Sequence, residues 1–186
     1  MEDYLKPYFK NEGLDIAELI NDDFFLAIKL CYNNQLYVSS VKLIVSFIDS
    51  ISFVVNGESS GNSFKKWLDE YCNIEQIDIL SSEMWEHRNA ILHITSLDSN
   101  KVKQGKEKRL IAYVGGEIPK TVIELAEESQ TKYFEIMALI RVLQEGVEKV
   151  LIDLNTRKLD LENFLNRYDL IVSDSRMLNV TYNQKS

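Results

Sequence analysis

The stretch "WEHRNAILHITSLDS", Trp85 to Ser99, decides how this chain is read. It carries both histidines, His87 and His93, and the only arginine of the first hundred residues, Arg88. Counted at 100° per residue, Met84, Trp85, Ile91 and Leu92 share one face of a helix, and Arg88 falls in the middle of it. Glu86, Asn89 and His93 gather on the other side. His87 falls between the two faces, which reads as a surface or rim position with no role. Ser81 or Ser82 serves as N-cap, with Glu83 and Glu86 in the first turn, where the helix dipole favours carboxylates. A guanidinium among apolar side chains needs a carboxylate or an interface, because an unpaired buried charge costs roughly 3–5 kcal/mol.

The preceding chain offers that carboxylate. Ile16, Leu19, Ile20, Phe24, Ala27, Ile28 and Cys31 recur at helical spacing, with Asp15 and Glu18 as a capping pair and "NNQ" at 33–35 as the stop. Asp23 sits inside that apolar stripe. A second helix, about Tyr37 to Val55, is apolar around most of its circumference and carries Asp49, so it belongs at the centre of a bundle or under a second subunit. "NGESSGNS" at 56–63 is a loop, and a shorter helix follows over roughly Phe64 to Cys72. Asp23 and Asp49 are the acidic residues expected to support Arg88.

Beyond Leu97 the pattern changes. "RLIAYV" followed by Gly115-Gly116 predicts a strand in a small hairpin, and Pro119 suits the first position of a helix. A seven-residue repeat from Val122 to Leu154 predicts a long helix or helix pair, with polar "EESQTK" at 127–132 as a break point. One more short helix is expected near Leu159 to Tyr168. The fold class expected is all-α: a four-helix up-and-down bundle over residues 1–97, with a small β-hairpin and a C-terminal helical extension over 98–186 packing on it.

Composition narrows the function classes. The chain has 186 residues, 45% of them hydrophobic, with two prolines and seven glycines, which suits a packed helical protein. A net charge of −8 argues against a sequence-blind coat on nucleic acid, though not against a small local basic site. Cys31 and Cys72 stand far apart without metal-ligand spacing, so no metal, no cofactor, no disulfide and a cytoplasmic location are expected. The apolar run from Val41 to Val55, broken by Lys42 and Asp49, reads as too short to span a bilayer, so no membrane is expected as a partner. Lys101, Lys103, Lys106, Lys108 and Arg109 read as the solvated edge of the hairpin, with guidance of RNA as the alternative.

"RNAILH", Arg88 to His93, resembles the R-x4–6-H motif of the HEPN superfamily, in the variant with a polar residue after the arginine. The resemblance covers about residues 14–97, with the motif on the fourth helix of the bundle. It implies a homodimer with the two motifs facing each other across the axis. It further implies a metal-independent endoribonuclease with Arg88, Asn89 and His93 as catalytic residues. In that reading two His93 side chains, one per subunit, share acid and base roles near neutral pH. Arg88 holds the phosphate, Asn89 orients His93 or binds the nucleotide, and the RNA 2′-hydroxyl is the nucleophile. The alternative is a non-catalytic homodimeric helical module that binds RNA, nucleotide or a partner protein such as an antitoxin. In that case Arg88 closes an ion pair, Asn89 is solvated and His93 complements a helix dipole.

Overall fold

The computed structural model describes residues 5–11, 13–94 and 98–172, the side chains of His93 and Ile94 excepted. The chain is mostly helical. Pro7 opens a short 3-10 turn, Lys6–Tyr8, and a small antiparallel hairpin follows, β1 (Phe9–Lys10) with β2 (Gly13–Leu14). Asp15 then caps α1, its Oδ1 accepting the Glu18 N–H at 2.9 Å as the sequence spacing predicts.

Helix α1 runs through Ile16–Ile20, a π-helical stretch Asn21–Phe25, and Leu26–Asn33. A π turn holds more residues per turn and narrows the angle between neighbours. Phe24 and Phe25 can therefore both meet Phe47, at ring-centroid distances of 5.3 and 4.9 Å. Phe47 belongs to α2, Tyr37–Asn56, the helix around which the others pack. The length and mean hydropathy of α2, 1.8, would suit a membrane crossing, but 56% of that apolar window is buried inside the fold. Its surface is spent on core contacts. Gly57 ends it in the left-handed conformation, φ 82°, donating its N–H to the Phe53 carbonyl at 2.7 Å.

Ser60 caps α3, which comprises Gly61–Trp67 and a π stretch Leu68–Cys72. Trp67 meets Phe47 edge-on at 5.9 Å. Helix α4 comprises Ser81–Asn89 and a π stretch Ala90–Ile94. Its N-cap is Leu80, where a serine was expected. Glu83 reaches back to accept the Leu80 N–H at 2.9 Å, and Ser81 is the first helical residue. The Trp85 ring packs on Phe64 at 5.2 Å and lies so close to Gly61 that a Cβ there would sit 2.7 Å from it.

The C-terminal half departs from expectation. After a short α5, Asn100–Lys103, strand β3 (Arg109–Tyr113) does not fold back into a hairpin. It pairs in parallel with β4 (Thr131–Glu135), Arg109 opposite Thr131 and Tyr113 opposite Glu135. The crossover between them is α6, Lys120–Glu128, for which Pro119 is the N-cap residue and not the first helical one. Parallel strands need such a connection, whereas a tight turn joins only antiparallel ones. The heptad pattern is accordingly interrupted: Tyr133 lies in β4, and the long helix α7 begins only at Ile136 and ends at Asn155. Leu110 and Phe134 are buried beneath the two strands, and β3 lies against α4. Helix α8, Leu161–Val172, returns to α2, where Arg167 Nη1 donates to the carbonyls of Val54 and Val55 at 3.2 Å each.

Candidate functional site

The expected site is built on α4. Arg88 lies over the Trp85 ring, 5.0 Å from its centroid. Its Nε donates to Asp49 Oδ2 at 2.7 Å, and Nη2 reaches the same oxygen at 2.7 Å. Nη1 donates to the Asn89 Oδ1 at 3.1 Å. The Arg88 and Asp49 side chains keep only 18% and 28% of their surface in solvent. The guanidinium is thus held on an aromatic face by a carboxylate from α2 and an amide from its own helix. This answers the question raised by a charge on an apolar face.

The other expected supporter, Asp23, is engaged elsewhere. Its Oδ2 accepts the Tyr168 hydroxyl of α8 at 2.6 Å, which ties the π turn of α1 to the C-terminal helix. Structure therefore brings Arg88, Asn89 and Asp49 together and leaves Asp23 outside. The backbone of His93 belongs to the π stretch Ala90–Ile94, and its side chain lies outside the described residues.

The two glutamates of α4 are buried and paired, with the strand segment supplying one of the cations. Glu83 accepts Lys132 Nζ of β4 at 3.1 Å, and Lys132 also reaches Asp78 at 3.4 Å. Glu86, expected on the polar side of the helix, is 4% exposed and meets Lys101 at 3.1 Å. Arg109 pairs with Asp98. Two cations of the basic run are thus committed to carboxylates.

His87 corrects the sequence reading most sharply. It is 3% exposed, not at a rim. Its ring stands edge-on to Phe134 of β4 at 5.6 Å, and neither Nδ1 nor Nε2 has a hydrogen-bond partner among the described residues. Burial lowers its pKa to about 4, so the imidazole is neutral at pH 7. The ring forms part of the wall of a cavity of about 630 Å³ between α2, α4 and β3, with Ile136 of α7 also lining it. The sequence did hold a signal: Met84, His87 and Ile91 follow at three and four residues, the spacing of a buried stripe. What it lacked was the sheet that covers that stripe.

Chemically, the Arg88 cluster is a braced cation and the His87 cavity a largely apolar chamber lined also by Lys42, Tyr37 and Tyr113. Among the described residues no three His, Cys, Asp or Glu side chains gather as a metal site. Cys72 is buried, which pushes its thiol pKa up and leaves it a packing group. Comparison with family models, curated proteins and solved structures finds no match to this chain.

Proposed function

We propose that this chain is a HEPN-type helical module, homodimeric, that binds and does not cleave. The four helices α1 to α4 are its up-and-down bundle. The observation that carries this reading is the Arg88 guanidinium, converged on one oxygen of Asp49, bonded to Asn89 and stacked on Trp85. A carboxylate at 2.7 Å neutralises the charge that a phosphate would seek, so the pair serves first as a brace between α2 and α4. Leu26, Leu30 and Leu36, exposed along the last turns of α1 and just before α2, support a dimer face. A stable dimer buries about 1,600 Å². Light scattering at micromolar concentration tests it, and a strict monomer would remove the dimer from the reading.

One observation favours the second reading, a metal-independent endoribonuclease. The π stretch of α4 begins directly after Asn89 and carries His93, and π turns inside helices concentrate at functional positions. RNA and DNA of one sequence, incubated with the full chain in EDTA, separate the two. The module leaves both intact. The nuclease cuts only RNA, leaves 2′,3′-cyclic or 3′-phosphate ends, and loses activity in His93→Ala but not in His87→Leu.

A further inference from the structure

The cavity beside His87 shares no lining residue with the Arg88 cluster, and its Val41 and Lys42 lie about two helical turns along α2 from Asp49, near 10 Å by helical rise. Its residues grade from buried to open. Val41 (4% exposed), His87 and Ile136 form the floor, Ile111 and Lys42 are half-buried, and Val38 is exposed at the mouth. The volume is in the range of small-molecule sites. The largely apolar wall is interrupted by Lys42, His87 and the two tyrosines Tyr37 and Tyr113, of which Lys42 and His87 carry the argument. Lys42 has no carboxylate partner among the described residues. His87 is held by packing, with both nitrogens unbonded among the described residues and closed to water, so an occupant reaches one only as the ring turns toward it. An unpaired buried polar atom is destabilising, and a ligand atom bonded to it would recover that loss. A cation at the mouth and an unsatisfied imidazole at the floor of an apolar chamber describe one kind of occupant.

We propose that this cavity binds an amphipathic organic anion. Its acidic group sits at Lys42, its apolar body lies against Val41, Ile111 and Ile136, and a hydroxyl or carbonyl at its far end bonds His87. Neutral imidazole serves as donor or acceptor there, whereas a purely hydrocarbon ligand leaves it unpaired. Binding here does not depend on what the Arg88 cluster does, so RNA cleavage and ligand binding succeed or fail separately.

The test uses the full chain and 1-anilinonaphthalene-8-sulfonate, an anion with an apolar aromatic body, read by fluorescence. Saturable binding of one probe per chain is expected. Lys42→Gln, at a half-exposed position that leaves the core intact, should weaken it about tenfold. Val41→Trp, which fills the floor, should abolish it. Dodecanoate should displace the probe and dodecanol should not. 12-Hydroxydodecanoate should compete with wild type as well as dodecanoate does. Against His87→Leu it should need at least tenfold more, because its hydroxyl then enters the chamber unpaired. Probe binding unchanged by Lys42→Gln, or equal displacement by alcohol and acid, overturns the proposal. So does failure to bind any of these anions.

Discussion

Lowering the pH from 7 to 4 acts on His87 before it acts on most of the fold. In the unfolded chain its imidazole takes up a proton near pH 6.5, whereas in the folded chain burial holds that event down to about pH 4. Between those values the unfolded state binds the proton and the folded state does not. Stability that is fully present above pH 6.5 is therefore lost as the pH falls, at about 1.4 kcal/mol per pH unit. By pH 5 the loss is about 2 kcal/mol, and at pH 4 it levels off near 3 kcal/mol. Urea unfolding of wild type and His87→Leu from pH 7.5 to 4 measures it. Carboxylate titrations contribute alike to both proteins and cancel in the difference. At pH 7 the variant should be close to wild type in stability, since it removes two nitrogens that have no partner among the described residues. Below pH 6.5 it should hold its stability while wild type falls away. Parallel curves for the two proteins would refute the argument, because they would mean that His87 titrates equally in both states.

Two further outcomes follow from the packing. Arg88→Ala should destabilise the fold by about 2 kcal/mol through the stranded Asp49 carboxylate, and Arg88→Ala with Asp49→Ala should cost less than the sum of the single changes. Chemical denaturation of the four proteins gives the coupling, and simple additivity would remove the pair as a brace. At Gly146 of α7 a Cβ would lie 2.5 Å from Cys72 Sγ and 3.4 Å from the Trp67 ring. Gly146→Ala should therefore lower stability by about 1–3 kcal/mol despite the better helix propensity of alanine. Cys72→Ala should restore part of it, and thermal melts that show Gly146→Ala to be stabilising would contradict the close approach.

The helices of the first half are legible because their signals are local. Asp15 and Glu18 mark a start, Gly57 marks a stop, and the apolar positions between repeat at helical spacing. Arg88 was also legible as a residue needing a partner, since its angle on α4 could be counted, as could Asp23 in the apolar stripe of α1 and Asp49 on the narrow polar stripe of α2. Which aspartate it takes was not, because that depends on how the helices are set side by side. The parallel pairing was hidden for a related reason. "RLIAYV" has one alternation whatever strand it meets, and "TKYFE" fits the heptad count of the helix after it. The π stretches defeat angle counting outright: each shifts the faces beyond it, and nothing in the residues themselves announces a wider turn. His87 was misplaced because the layer that covers it comes from β3 and β4, far along the chain.

Arg167 has one consequence for how the chain is made. It closes the carbonyl end of α2 from 113 residues downstream of Val54, and Tyr168 beside it reaches back 145 residues to Asp23. Synthesis at about 5–20 residues per second puts on the order of ten seconds between the emergence of α2 and that of its closing residue. Through that interval the most apolar of the described helices waits beside a ribosome without Arg167. A nascent chain stalled before residue 167 presents the α2–α1 face to whatever binds greasy segments in the cell. Helix α8, the last among the described residues, is thus the clasp that closes α2.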